Sequence, residues 1–349
     1  MQHKCCNILL TLVMVFAGIN AMSAEPLRVV SYNVENLFHP KHDSVMVDSL
    51  WVEKDDWEWT PEGERRWSYS RYERKVESIA RVLTAIGEWD GVDIAGLQEV
   101  ENAKCLRKLC YTLRRGEYDF VHYESPDLRG IDVALIYKKS RVDTLRTRKL
   151  SIQNPPRSST DGHRQSDRAE LFTTSREEKL ETRDILYVCA KVDKKDTLHL
   201  FVCHLPSQRG GAAESEWKRT AVKAVLQTAI DSVYEACPNA KIIVMGDMNS
   251  DAPSVPLKGE ELRGVRYREP VNGKEIGTHK WQGRWSCLDR FYTSPALDSL
   301  SRAEIYNAAW IQEPDEKYLD LKPKRTYNGF RYQKDGFSDH LPIVLTVSL

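Results

Sequence analysis

The chain has 349 residues, enough for one large domain or two small ones. Hydrophobic residues are 41% and charged residues 29%, which excludes a polytopic membrane protein and argues against a mostly disordered chain. Lys+Arg and Asp+Glu are each 51, so no global basic surface exists to hold nucleic acid by bulk electrostatics, although a local basic cleft stays open.

Lys4 is the only charge before an apolar run from Ile8 to Ile19, and the small residues Ala21-Met22-Ser23-Ala24 precede the polar Glu25-Pro26. A basic start, a short apolar core and small residues at the exit describe a secretory signal over residues 1–24, followed by a single domain over 25–349. The run is short for a transmembrane helix, which needs about 20 apolar residues. An uncleaved anchor is the alternative. The expectation is an exported protein, periplasmic or secreted. Its six remaining cysteines are Cys105, Cys110, Cys189, Cys203, Cys237 and Cys287. They form no zinc-type pair, and Cys189 and Cys203 lie in apolar runs that suit buried free thiols.

The mature chain opens with an apolar strand over Leu27–Tyr32 that ends at Asn33. Lys41–Tyr69 then reads as a long acidic loop bearing Trp51, Trp57, Trp59 and Trp67. These rings either line a substrate cleft or pack the loop onto its own domain. Tyr72–Ile86 places Val76, Ile79, Ala80 and Leu83 at helical spacing. A strand over Val92–Leu97 runs into Glu99, a weaker helix follows at 102–114, and Ile131–Tyr137 is a further strand. Ser151–Lys179, polar and broken by Pro155-Pro156, reads as a second long loop. Strands are expected at Ile185–Val192 and Leu198–Leu205, the latter carrying His204, and then a helix at Glu214–Ala236. The strand Lys241–Met245 leads to Asp247 and Asn249; the LDRFYTS run begins at Asp289, and Asp339-His340 open the last strand, Leu341–Val347. Several strands are apolar on both alternations, as expected of strands covered on both faces.

Polar residues able to bind metal or phosphate thus sit at the ends of nearly every apolar run. In a mixed sheet, strand exits share a rim with the entrances of antiparallel neighbours, so Asn33, Glu99, His204, Asp247, Asn249, Asp289, Asp339 and His340 converge on one edge. Any one of them alone reads as a turn former or a satisfied core group; the repetition favours a metal-plus-phosphate site. Mg²⁺ prefers oxygen ligands and keeps several waters, so one or two carboxylates suffice, with Glu99 and Asp339 first and Asp247 and Asn249 close by. Such an ion polarises a phosphoryl oxygen, histidines move protons or donate to phosphate, and Asp289 orients an imidazole.

In their order, Ser31-Tyr32-Asn33-Val34-Glu35-Asn36-Leu37, Leu97-Gln98-Glu99-Val100, His204-Leu205-Pro206-Ser207, Gly246-Asp247-Met248-Asn249, Leu288-Asp289-Arg290 and Ser338-Asp339-His340-Leu341-Pro342 resemble the endonuclease/exonuclease/phosphatase superfamily. That superfamily includes deoxyribonuclease I, apurinic endonucleases, sphingomyelinases and inositol-polyphosphate phosphatases. The resemblance spans about residues 27 to 349. It implies a four-layer α/β/β/α sandwich with two mixed sheets packed face to face, and phosphoester hydrolysis by an activated water with Mg²⁺, or Mn²⁺ or Ca²⁺, as cofactor.

By the same resemblance Glu99 is the principal metal ligand, Asp339 an additional one, and Asn33 the amide near metal and phosphate. Asp247 and Asn249 position the water and the phosphate. His340, oriented by Asp289, is the general base or phosphate-polarising group, and His204 is the second histidine. Arg183 is a candidate phosphate contact or a surface salt bridge, and Asp132 supports the site in a role left open. Met248 departs from the usual pattern, where an aromatic is common. The Lys41–Tyr69 insertion and Gln208-Arg209-Gly210-Gly211 resemble a bacterial exported branch. The expected activity is an endonuclease on DNA or RNA, acting as a monomer. The alternative is a phosphatase or phosphodiesterase on lipid headgroups or small phosphorylated molecules, since the fold supplies chemistry without substrate.

Overall fold

The computed structural model describes residues 25–47, 50–88, 90–153, 180–208, 212–250, 263–264, 267 and 276–349. The expected export signal, residues 154–179 of the second loop and residues 209–211 lie outside the described residues.

Twelve strands build two six-stranded sheets. In chain order they are β1 (Leu27–Leu37), β2 (Ile94–Val100), β3 (Tyr118–His122), β4 (Asp132–Lys138), β5 (Val142–Leu150), β6 (Ile185–Val192), β7 (Asp196–His204), β8 (Lys241–Asp247), β9 (Arg263–Gly264), β10 (Asp289–Thr293), β11 (Ser301–Ile305) and β12 (Ile343–Val347). The first sheet has the order β11-β12-β1-β2-β4-β3 and the second β9-β10-β8-β7-β6-β5. Each has one parallel pair near its centre, β1/β2 and β7/β8, flanked by antiparallel neighbours. The parallel pairs deliver their C-terminal ends to one rim. The antiparallel neighbours β4, β10 and β12 start from that same rim, so exits and entrances meet as the sequence pattern implies.

The two sheets face each other across a core that includes Val29, Ile94 and Leu135 from the first and Leu200, Val202 and Met245 from the second. Helices α1 (Tyr69–Ile86) and α2 (Ala103–Leu113) cover the outer face of the first sheet, where Val76, Ile79, Leu83, Leu106 and Leu109 meet Val30, Ala95 and Leu97. Both helices are capped from side chains, with Ser68 accepting from the Arg71 amide and Asn102 from the amides of Lys104 and Cys105. Helix α3 (Ala212–Ala236) covers the second sheet through Val222, Leu226 and Ile230. The layers are therefore α/β/β/α.

The Lys41–Tyr69 segment is more ordered than a loop. It contains a hairpin, Ser44–Val47 with Leu50–Glu53, and a 3₁₀ turn at Trp57–Trp59, and Tyr69 already belongs to α1. Trp59 stacks on Phe38 at 4.9 Å, and the Trp67 indole donates to the Phe38 carbonyl at 2.8 Å. Both rings are buried, so they pack the segment onto the first sheet's outer core rather than line a cleft. Trp57 is exposed and stacks on His42 at 3.9 Å. The sequence pattern also passes over β3, β5, β9 and β11. Strand β5 lies at a sheet edge and carries Arg146, Arg148 and Lys149, charges of the kind that keep an exposed edge from pairing with another chain. All six cysteines among the described residues are free thiols; Cys203 is buried and Cys189 half-buried.

The sheets pack tightly at Gly96 of β2. A Cβ there would lie 2.7 Å from the Met245 Sδ and 3.2 Å from Val202 Cγ1. Gly96→Val should lower stability by about 1–3 kcal/mol through overpacking, read as a reduced urea midpoint at unchanged slope. An unchanged midpoint would mean that the sheets are not in contact there.

Candidate functional site

The site begins with a register slip. Strands β1 and β2 stay paired up to Asn33 and Gln98, and the next partners are Leu37 and Val100. The extra residues bulge out with left-handed backbone: Glu99 has φ 65°, Glu35 φ 53° and Asn36 φ 59°. Non-glycine residues in that region cost on the order of 1–3 kcal/mol each and persist where surrounding structure fixes them. Here the bulge turns the Glu99 carboxylate inward. Its Oε2 accepts from the Asn36 amide at 3.0 Å and its Oε1 from Asn33 Nδ2 at 3.4 Å.

The second sheet supplies the opposite wall. Asp247 ends β8, in register with His204 of β7 and Asp289 of β10. Gly246 precedes it with φ 146°, where an added Cβ would fall 1.9 Å from the Cys203 carbonyl oxygen, so only glycine lets the strand end lie this close. Asp247 Oδ2 accepts from Asn33 Nδ2 at 3.1 Å and lies 3.6 Å from His204 Nε2 and 3.8 Å from His340 Nε2. Its Oδ1 accepts from the Asn249 amide at 2.8 Å, while the Asn249 side chain turns back to donate to the Leu205 carbonyl at 2.8 Å.

The loop before β12 closes the rim. His340 Nδ1 pairs with Asp289 Oδ2 at 2.7 Å. Ser338 Oγ accepts from the His340 amide at 3.0 Å and donates to the Asn33 carbonyl at 2.7 Å. Burial opposes charge on His340, but the carboxylates of Asp289 and Asp247 outweigh it and hold the imidazole well above its usual range, so it is cationic at neutral pH. Burial, reinforced by Arg183 and Arg129, keeps His204 well below the usual range and hence neutral. Asp247 is pushed up to about 6 by burial and by Asp289, against the pull of His340. Burial would raise Asp339, yet His340 and Arg325 bring it down to about 2. One rim thus holds a cationic imidazole, a neutral imidazole and carboxylates of unequal acidity.

Several participants lacked a sequence assignment. Glu35 accepts from the Thr326 amide and from Arg325 Nε at 3.4 Å, and the same guanidinium reaches Asp339 at 2.8 Å. Lys75 of α1 is buried and donates to Thr326 Oγ1 and the Phe337 carbonyl. It falls three residues after Tyr72 and next to Val76 on the apolar stripe, an interruption that could have marked it. His279 lies 4.9 Å from His340, ring to ring, and burial and the charge on His340 push it down to about 4.

The arginines of the region are already engaged. Arg183 donates to Asp127 at 2.8 Å and to the Leu205 carbonyl at 3.0 Å, and Arg129 donates to Asn36 Oδ1 at 2.6 Å. Arg183 does form a salt bridge, with Asp127, but a buried one rather than the surface pair expected. Asp132 accepts from the Ser125 amide at 3.0 Å and lies 3.4 Å from His122. It forms a separate cluster with His122 and Glu124.

The donor chemistry of the rim suits a hard divalent cation. Asp247 and Asp289 bring carboxylate oxygens within 4.8 Å of one another, and Asp289 Oδ1 is buried without a hydrogen bond; His340, which groups with them and with His279 and Asp339, is a ligand only when deprotonated. Glu99 and Asp339, the pair expected to share the metal, form no such compact group among the described residues, because Asp339 is turned to Arg325. Asn33 presents its amide nitrogen to the carboxylates while its Oδ1 accepts from the Glu35 amide at 3.0 Å. In this orientation it acts as a bridging donor, and the oxygens for a cation come from the carboxylates.

The comparisons agree with this architecture. Among solved structures, the mannosyl-6-phosphatase Bt3783 of Bacteroides thetaiotaomicron VPI-5482 superposes with TM-score 0.55 at 16% identity, covering 91% of this chain and 98% of that one. Truncated TDP2 from Caenorhabditis elegans gives 0.53 at 15% identity over 92% and 97%, and the human nocturnin catalytic domain with bound sulfate gives 0.51 at 16% over 92% and 93%. At these identities the likeness is one of fold. No curated protein matches the chain. The sequence itself matches the profile of the Endonuclease/Exonuclease/phosphatase family over residues 28–348, and the chain therefore belongs to that family, whose enzymes hydrolyse phosphoesters.

Proposed function

We propose that the protein is a divalent-metal-dependent hydrolase of small phosphorylated molecules, acting as a phosphatase or phosphodiesterase. The observation that carries the reading is the joined set Glu99–Asn33–Asp247 beside the His340–Asp289 pair on one rim. The choice of a small substrate over a polynucleotide rests on charge. Arg183 is paired with Asp127 and Arg325 with Glu35 and Asp339, so neither guanidinium is free to track a phosphate backbone, and Arg129 is held by the Asn36 amide. Residues 25–349 constitute the catalytic domain in this reading, exported behind residues 1–24 and monomeric.

A Mg²⁺ ion, with Mn²⁺ or Ca²⁺ as substitutes, would be held by Glu99 on this rim, the Asp339 carboxylate being engaged by Arg325. When bound it offsets the charge that builds up on the phosphoryl oxygens. Cationic His340 donates from Nε2 to a phosphoryl oxygen while Asp289 fixes its ring through Nδ1. Asp247, poised near neutrality, accepts a proton from the attacking water, and the Asn249 amide holds the carboxylate in place. The water oxygen bonds to phosphorus as the bond from phosphorus to the departing oxygen breaks, and that oxygen leaves as the alcohol after taking a proton from solvent. Neutral His204 lies against the same carboxylate and completes the wall.

Purified protein assayed with Mg²⁺, and with EDTA as control, on a hexose phosphate, an inositol phosphate, sphingomyelin, plasmid DNA and RNA should act on the small phosphorylated molecules. Nicking of DNA or RNA as the dominant metal-dependent activity would contradict the substrate assignment. His340→Ala should lower the chemical rate by about two to four orders of magnitude with little change in metal affinity. His42 lies outside the rim, stacked on Trp57; an equal loss in His42→Ala would undo the role of His340.

A further inference from the structure

A sizeable cavity lies away from the catalytic rim. A trough of about 570 Å³ runs between α3 and the outer face of strands β5, β6 and β7. That is within the range of about 300–1,000 Å³ typical of small-molecule sites. His199 on its floor is five residues before His204, which puts it on the order of 17 Å back along β7 from the catalytic rim.

The trough exists because α3 is asymmetric. Val222, Leu226 and Ile230 pack onto the sheet, whereas the neighbouring stripe presents Ala224, Thr228, Ala229, Ser232 and Ala236 to the trough. Small side chains leave the space open along a helical wall from Ala224 to Cys237, about 20 Å long. The floor is aromatic. Tyr187 and Phe201 lie 5.0 Å apart, and the Tyr187 hydroxyl is satisfied by His199 Nδ1 at 2.8 Å, so the floor polar groups are paired with each other.

The opposite wall carries the charge. Arg146, Arg148 and Leu150 alternate along β5, which sets all three on one face of the edge strand. Neither Arg146 nor Arg148 has a carboxylate within ion-pairing distance among the described residues, although ion pairs are frequent elsewhere: Arg141 with Asp93 and Asp193, Lys149 with Asp184, Lys241 with Asp196. An elongated apolar trough bordered by two guanidiniums that have no carboxylate partner among the described residues is complementary to one kind of molecule.

We propose that this trough binds a single-chain anionic amphiphile, its hydrocarbon tail lying between α3 and the Tyr187–Phe201 floor and its acidic head on Arg146 and Arg148. The site is independent of the phosphoesterase rim and stands whatever the substrate of that rim.

The test is titration calorimetry of the full chain with dodecanoate below its micelle concentration, and with dodecyltrimethylammonium as the tail-matched cation. Saturable 1:1 binding of dodecanoate at least tenfold tighter than that of the cation is expected. The Arg146→Glu/Arg148→Glu variant should weaken dodecanoate at least tenfold. Ala229→Trp, which fills the trough, should abolish binding; if that variant fails to fold, the arginine variant and the following measurement decide. Cys237 is a free, exposed thiol in the lining. Its alkylation by iodoacetamide, followed by peptide mass spectrometry, should slow several-fold when dodecanoate is bound. Absent saturation, equal affinity for both head groups, or an unprotected Cys237 would each overturn the proposal.

Discussion

The side-chain amide of Asn33 joins the two sheets at the rim. Its nitrogen donates to Glu99 of the first sheet and to Asp247 of the second. Two carboxylates brought together in a buried setting repel each other and favour protonation. A shared donor between them offsets that repulsion without adding a charge. Asn33 is itself fixed at both ends: its Oδ1 accepts from the Glu35 amide, and its carbonyl accepts from Ser338. Because Ser338 also receives the His340 amide, the bridging amide and the imidazole are set by one continuous network. Displacing any member shifts the others.

The fold makes this network possible by ending a parallel pair of each sheet at the same edge. Glu99 is directed inward by a bulge with left-handed backbone, and Asn249 also has positive φ, 47°. Both belong to the site. Such conformations oppose folding locally, and the packed core between the sheets offsets them. A second layer of charge lies behind: Lys75 and Arg325 face Glu35 and Asp339, so acidic groups on the rim are balanced from the interior rather than by solvent. This explains how a chain of zero net charge can keep a strongly acidic rim without a basic surface.

Much of this was legible from residues alone. The apolar runs marked the central strands, and polar residues at their ends named Asn33, Glu99, His204, Asp247, Asp289 and His340, which the structure brings to one rim. Strands such as β5 escaped because an edge strand buries little and its charged side chains erase the alternation. The tryptophan-rich segment read as a loop because Trp59 and Trp67 reach their partners, Phe38 and Tyr327, only through tertiary contacts. The bulge at Glu99 has no sequence signature, since it arises from a mismatch of register between β1 and β2. The roles of Glu35, Lys75 and Arg325 depend on contacts across as many as 291 positions, which no local pattern encodes. Spacing likewise could not show that Asp339 would be taken up by Arg325, or that the arginine at 183 would be spent on Asp127.

In the proposed reading Glu99 is the carboxylate that would hold the metal, set in place by Asn33 and by the bulge. The most direct measurement is titration calorimetry of Mg²⁺ into the wild-type protein and the Glu99→Ala variant, with thermal unfolding of both as a control for fold. The prediction is a saturable Mg²⁺ site in the wild type and its loss in the variant at a nearly unchanged unfolding temperature, because a rim carboxylate contributes little to the core. Wild-type Mg²⁺ affinity in a folded Glu99→Ala protein would contradict it.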